Sequence, residues 1–150
     1  MTIALDEGDY AAVQNALSQL SAIEQNAVVK KGLQEGLSIF VKQGKQNLRA
    51  TLSSKPVNVR MRKGNLMKSF RTNLNKRQSK GYAGFNHLGR HAHLVDSGTK
   101  NRWTKSGAYR GSVDGSKFWK TAFEQKKNEA AKELVDSIIE SINKIIKYNR

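Results

Sequence analysis

Four ionisable side chains lie close together in the sequence and are the first candidates for chemistry. They are Asp96 and the three histidines of the chain, His87, His91 and His93. On a strand, His91 and His93 would point to the same face, as two ligands of a metal ion would. General acid–base catalysis or metal-assisted hydrolysis, however, normally needs a second carboxylate or a fuller ligand set. We therefore favour polar histidines beside a turn, predict no catalytic residue, metal or other cofactor, and keep a metal-dependent nuclease as a third hypothesis.

Positive charge is concentrated in the middle of the chain. Residues 42–110 contain seventeen Lys and Arg and a single acid, Asp96, whereas residues 1–41 carry two basic and five acidic side chains. The net charge of the 150-residue chain is +15. A surface of this kind either contacts a negatively charged partner or tolerates strong self-repulsion. Residues 42–110 are therefore the predicted contact region.

The composition excludes several classes of protein. The chain has no cysteine, which rules out disulfides and thiolate metal sites. No run approaches the roughly 18 apolar residues that a membrane span requires, and the acidic N-terminus does not have the pattern of a secretory signal. We expect a single domain over residues 1–150, with no membrane partner.

The N-terminal half has the pattern of two helices. Residues 9–20 predict a short one, which forms an N-terminal helical arm over residues 1–20. Ser21 and Glu24 have the spacing of a capping box, and predict that a long helix follows over about 21–52. Three glycines, Gly32, Gly36 and Gly44, share one side of this helix. They indicate either close approach of another element or simply a weak helix.

The middle of the chain predicts a small antiparallel sheet. Residues 57–61 alternate as a short strand, residues 64–70 favour a turn or two of helix, and residues 70–74 and 82–85 form a hairpin around the turn 76–81. Ala92, Leu94 and Val95 are interpreted as a third strand segment. Residues 100–115 contain three glycines and no periodicity, and predict a projecting loop.

A long amphipathic helix is predicted over about 116–147, with Ser116 as its N-cap. The expected fold class is therefore α+β, with long helices at about 21–52 and 116–147 packed on a small antiparallel sheet. The extended Gly-rich loop, about 100–115, would project from this body.

Three blocks of sequence, in order over residues 60 to 147, carry a family resemblance. They are KGNLMKSF (63–70), HAHLVDSGT (91–99) and SKFWKTAF (116–123). Together they resemble the neck or tail-completion family of minor tail proteins in long-tailed double-stranded-DNA phages. Prolines usual at the third block are absent, with Ser116 and Lys117 in their place, and His91 stands where a Tyr is usual. Gly98, after Asp96 and Ser97, is suited to a turn with positive φ, whose amides Asp96 would bind.

The resemblance implies a structural virion protein of the neck, made in the host cytoplasm. Copies would form a homo-oligomeric ring, expected to be a hexamer, that completes the tail and joins it to the DNA-filled head. Connector or stopper proteins and the tail terminator or tube would be its neighbours. The predicted partner and intersubunit contacts are Arg90, His93, Asp96, Gly98, Thr99, Arg102, Trp103, Tyr109, Phe118 and Trp119.

The basic segment leaves a second function open. Interleaved with Phe70, Tyr82 and Phe85, its cations are typical of a sequence-tolerant nucleic-acid-binding surface. Docking to acidic proteins, and a solvated face with no partner, are the alternatives; DNA passing through a neck would rather be repelled, which favours protein partners. The residues concerned are Arg60, Arg62, Lys63, Lys68, Arg71, Lys76, Arg77 and Lys80.

Overall fold

The computed structural model describes residues 7–53, 65–75 and 80–148. Their fold is α+β, as predicted: long helices accompany two small antiparallel sheets of two strands each. The elements are α1 (Glu7–Leu17), α2 (Ala22–Ser53), α3 (Asn65–Ser69), β1 (Phe70–Asn75), β2 (Lys80–Phe85), a 3-10 turn (His87–Gly89), α4 (Ala92–Ser97), β3 (Gly98–Trp103), β4 (Tyr109–Asp114) and α5 (Phe118–Tyr148).

Helices α2 and α5 pack against each other in antiparallel directions and form the body of the protein. Glycines on α2 make this close packing possible. A Cβ at Gly36 would lie 2.8 Å from the backbone oxygen of Ala130, and one at Gly44 would lie 2.7 Å from the Trp119 ring. Of the two explanations left open by the sequence, close approach of another element is therefore the one that the structure supports.

The predicted capping box at the start of α2 is confirmed. The Ser21 backbone N–H donates to Glu24 Oε2 at 3.0 Å, and the Glu24 N–H reaches Ser21 Oγ at 3.4 Å. The two side chains also bond each other, with the Ser21 hydroxyl 2.6 Å from Glu24 Oε2. These contacts satisfy donors that the first turn of a helix leaves free, so α2 begins where the sequence predicts.

Two apolar clusters stabilise opposite ends of the α2–α5 pair. The first includes Val13 and Leu20, from α1 and the segment after it, with Val28 and Ile138 of the long helices. The second joins Leu48 to residues of the C-terminal half, and we call it the lower core. Its buried members are Leu48, Leu66, Phe70, Ala92 and Phe118.

Strands β1 and β2 form the predicted hairpin, with Phe70 opposite Phe85 and Asn75 opposite Lys80. Helix α3 precedes β1, as the pattern in residues 64–70 predicts. Gly81 of β2 lies against α2, where a Cβ would come 2.4 Å from Leu37 Cδ1. The predicted strand at 57–61 and residues 76–79 of the predicted turn lie outside the described residues.

Two predictions for the region after this hairpin are wrong. Residues 92–97 form the helix α4 and not a third strand, because Ala92 and Val95, one helical turn apart, face the lower core while Leu94 is exposed. Most of the predicted loop at 100–115 is regular, since residues 98–114 form the hairpin β3–β4. The glycines lie at its base, bulge and tip.

Within the described residues, every helix is too short or too polar for a membrane span.

Candidate functional site

The hairpin β3–β4 has α4 as its main packing contact with the remainder of the described protein. Gly98 pairs with Asp114 at the base and Trp103 with Tyr109 at the tip, and the register shifts beside Arg102 and Gly111. The tip is ordered by hydrogen bonds: the Thr104 N–H donates to the Ala108 oxygen at 2.9 Å, and the Ala108 N–H donates to Thr104 Oγ1 at 3.0 Å.

Trp103 and Tyr109 form an exposed aromatic pair near this tip. Their ring centroids are 5.4 Å apart, and the side chains are 59% and 60% exposed. The Tyr109 hydroxyl donates to Asn101 Oδ1 at 3.1 Å, and Arg102 Nε donates to the Gly111 oxygen at 3.4 Å. Trp103 and Tyr109, two of the predicted contact residues, are thus held on a hairpin and remain accessible to a partner.

Asp96 anchors the base of the hairpin to α5. Its Oδ1 accepts the backbone N–H of Trp119 at 2.7 Å, with Lys120 N at 3.4 Å. Its backbone oxygen accepts the N–H of Lys117 at 2.8 Å. A carboxylate at a helix N-terminus satisfies free N–H donors and interacts favourably with the helix dipole. One residue therefore joins α4 to α5.

This geometry corrects two predicted roles. Asp96 does not bind the amides of its own turn; it accepts hydrogen bonds from α5. Ser116 does not cap α5 with its hydroxyl, which instead donates to the Val95 oxygen at 2.9 Å. The Ser116 N–H donates to the same oxygen at 2.9 Å. The cap of α5 comes from a residue distant in sequence.

Gly98 adopts the positive φ that the sequence predicts, with φ of 81° and ψ of −173°. This region is essentially restricted to glycine. A Cβ there would also lie 2.5 Å from the Val113 oxygen. At the opposite side of the base, a Cβ at Gly115 would lie 2.5 Å from the Ser97 carbonyl carbon. The two strands leave the body through a junction too narrow for side chains.

The absence of prolines at 116 and 117 has a physical reason. Lys117 has φ of 52°, whereas a proline ring holds φ near about −65°. At position 116, proline would remove the N–H that donates to Val95. The backbone conformation at 117 therefore excludes proline, and proline at 116 would cost a hydrogen bond.

The other predicted contact residues divide between interior and surface. Phe118 is 1% exposed and belongs to the lower core, and Trp119 is half-buried against the same core. Phe118 is therefore corrected from a partner contact to a core residue. Thr99 Oγ1 accepts the Val113 N–H at 3.0 Å within the hairpin. Arg90 and His93 are exposed beside α4.

The histidines are not arranged as they would be on a strand. His91 precedes α4 and His93 lies in its first turn, both exposed. Within residues 7–53, 65–75 and 80–148, no group of three or more His, Cys, Asp or Glu is placed to hold a metal ion.

The charge of the described protein is divided between its two ends. The end formed by residues 42–53, 65–75 and 80–127 carries fifteen Lys and Arg and three acids, and we call it the basic end. The opposite end, residues 7–35 and 128–148, carries five Lys and Arg and eight acids. Both α4 and the β3–β4 hairpin belong to the basic end.

Three residues of the predicted basic contact are described, and all are exposed: Lys68 on α3, Arg71 on β1 and Lys80 on β2. Phe70 and Phe85 turn into the lower core, whereas Tyr82 is exposed. Arg60, Arg62, Lys63, Lys76 and Arg77 lie outside the described residues.

Comparison with protein-family models, with curated proteins and with solved structures finds no match to this chain.

Sequence reasoning missed the bond between Asp96 and α5, and no local pattern signals it because the partners meet only after folding. It also missed that Tyr82 alone of the three aromatics faces outward. The alternation of side chains along β2 was a usable signal, since positions 82 and 85 lie on opposite faces of one strand.

Proposed function

We propose that this protein is a structural component of the neck of a long-tailed double-stranded-DNA phage. Copies would form a ring, expected to be hexameric, that completes the tail and joins it to the DNA-filled head. Its neighbours would be connector or stopper proteins on one side and the tail terminator or tube on the other. This role requires no catalytic step. The protein would be made in the host cytoplasm and end in the virion.

One observation carries the proposal: the three blocks that resemble the family meet in space. Phe70 of the first block packs edge-on against Phe118 of the third, with ring centroids 6.0 Å apart. Asp96 of the second block binds the N–H of Trp119 in the third at 2.7 Å. These contacts join the three blocks to one another, and Asp96 lies next to the base of the β3–β4 hairpin.

The hairpin has the character of a contact arm. Trp103 and Tyr109 are large and more than half exposed, and aromatic side chains supply much of the binding energy at protein interfaces. Four cations, Lys100, Arg102, Lys105 and Arg110, accompany a single acid, Asp114, on the same hairpin. Such charge would direct the arm towards an acidic rim on a neighbouring copy or neck protein.

The test uses a phage that encodes this chain, with its gene interrupted by a stop codon. Electron microscopy should show full heads and unattached tails. Wild-type protein supplied in the host should restore joined particles. The double variant Trp103→Ala/Tyr109→Ala should fold and fail to restore them.

Tyr10→Ala provides a matched control. Tyr10 is also 60% exposed, but it lies on α1 at the opposite end of the protein, so the variant should restore joining. Normal virions without the protein would contradict the proposed function. Normal joining with the double hairpin variant would contradict the role of the arm alone.

A further inference from the structure

The outer face of the β1–β2 hairpin carries one large exposed aromatic side chain, Tyr82, which is 60% exposed. Phe70 and Phe85 lie on the opposite face, where their rings pack edge-on with centroids 4.7 Å apart. Since side chains alternate along a strand, the register that buries these two phenylalanines places Tyr82 outside. The ring is therefore held on the hairpin and still faces solvent.

Polar and cationic side chains share this face. Asn73 lies directly across from Tyr82, and Arg71 and Lys80 lie on either side along the two strands. Arg71, Asn73 and Lys80 are all exposed. No acidic residue occurs between positions 70 and 85. The face thus combines a flat ring with two cations, and neither strand contributes an acid to it.

Open space adjoins the ring. Gly84 follows Tyr82 by two residues and so lies on the same face, opposite Arg71. A Cβ built at Gly84 would meet no atom within 4 Å, and its φ is not positive. The glycine is therefore not required by the backbone. Its lack of a side chain leaves room for a flat group beside Tyr82.

Further cations lie on α2, beside the hairpin. Lys42, Lys45 and Arg49 recur at spacings of three and four residues, which places them on one side of the helix. Lys45 is three helical turns from Gln34 and shares its face, and the Gln34 side chain donates to Thr72 Oγ1 on β1 at 2.8 Å. The row therefore lies on the side of α2 that carries the sheet, and spans about 10 Å from Lys42 to Arg49.

We propose that this surface binds single-stranded DNA, with Tyr82 stacking on a base and the surrounding cations contacting phosphates. A positively charged surface with a sequence-tolerant aromatic platform is the arrangement by which proteins bind single strands. A duplex is disfavoured because its bases are already stacked and do not offer a face to the ring. An acidic protein would satisfy the cations but would not use the open space beside Tyr82. The proposal does not depend on the neck function.

The test measures fluorescence anisotropy of a labelled oligothymidylate of about 30 nucleotides with the purified full chain. A duplex of the same length is measured beside it, and salt is varied from about 50 to about 200 mM. The single strand should bind more tightly, with an affinity that falls steeply with salt. Tyr82→Ala should weaken binding by about fivefold or more and leave the salt slope unchanged. Arg71→Gln/Lys80→Gln should make the slope shallower.

Two further variants separate the site from general charge. Tyr10→Ala removes an equally exposed aromatic ring from α1 and should keep wild-type affinity. Gly84→Val should keep the circular dichroism spectrum of the fold, since valine suits a strand, and should weaken single-strand binding as Tyr82→Ala does.

Several results would overturn the proposal. They are tighter binding of the duplex, absence of binding at low salt, and wild-type affinity in a folded Tyr82→Ala protein. Displacement of the oligonucleotide by polyglutamate at equal charge concentration would indicate an acidic-protein surface instead.

Discussion

The carboxylate of Asp96 and the backbone N–H of Trp119, 23 residues apart in sequence, form a hydrogen bond of 2.7 Å. This bond connects the segment before the β3–β4 hairpin to the first turn of the helix that follows it. We predict that Asp96→Ala destabilises the protein by about 1–2 kcal/mol, because the helix loses its cap. Asp96→Asn should cost less, since the amide oxygen still accepts a hydrogen bond. Urea denaturation followed by circular dichroism measures both.

Asp114→Ala is the matched control, because Asp114 is exposed at the other strand of the hairpin base. It should change the free energy of unfolding by less than about 0.5 kcal/mol. Equal losses in the Asp96 and Asp114 alanine variants would disprove the capping role of Asp96.

Replacement of Gly36 should destabilise the protein, even when the new residue is alanine, the best helix former. In an exposed helix, alanine is favoured over glycine by about 1 kcal/mol. At Gly36, however, the added methyl would lie 2.8 Å from the Ala130 oxygen and 3.2 Å from Leu134 Cβ. We expect Gly36→Ala to lower the free energy of unfolding by about 1–3 kcal/mol through overpacking. Gln46→Ala, exposed on the same helix, should be near neutral, and a stabilised Gly36→Ala protein would show that α2 and α5 are not this close.

Two glycines of the hairpin, both with positive φ, separate backbone strain from steric clash. A Cβ at Gly107 would meet no atom within 4 Å, whereas one at Gly98 would meet the Val113 oxygen at 2.5 Å. Gly107→Ala should therefore cost about 1–2 kcal/mol from strain alone. Gly98→Ala should cost more and expose the hairpin to proteases, which limited proteolysis detects. Equal protease resistance of the two variants would mean that the base of the hairpin can widen.

The Glu140 carboxyl leads to a prediction about how the stability of the protein depends on pH. A hydrogen bond from Lys144, and the positive charge of that side chain, lower the pKa of Glu140, and Lys31 contributes in the same direction. A lowered pKa in the folded state means that the stabilisation is present above the pKa of the unfolded chain and is lost as the pH falls through the folded value. NMR titration should find the Glu140 pKa below its ordinary value, and higher in Lys144→Gln. Lys147→Gln should leave the Glu140 pKa unchanged. The same Glu140 pKa in wild type and in Lys144→Gln would refute the pairing.

The sequence predicts those elements whose signals are local. Ser21 and Glu24 mark the start of α2 by a contact within four residues, and the apolar stripe of α5 persists over many turns. Residues 92–97 show the opposite case. Their short apolar run fits the period of a helix and that of a strand equally well. The burial of Ala92 in the lower core, a tertiary contact, selects the helix.

The glycines of residues 98–115 explain why the sequence pattern predicts a loop where the structure has a hairpin. Glycine weakens the strand pattern, but here Gly98, Gly107 and Gly111 adopt positive φ at the base, tip and bulge. The aromatic pair of the candidate site was predictable by residue type. The position of the pair on an ordered hairpin was not predictable, because the base of that hairpin depends on the hydrogen bond between Asp96 and α5.

The narrow junction at Gly98 and Gly115 also has a mechanical consequence. Both ends of the β3–β4 hairpin enter the body where Val95 and Asp96 bond the chain leading into α5. A force applied at the Trp103 tip would therefore be transmitted through this junction to the first turn of α5, rather than distributed over the sheet. A partner bound at the tip is thereby coupled to the N-terminal end of α5.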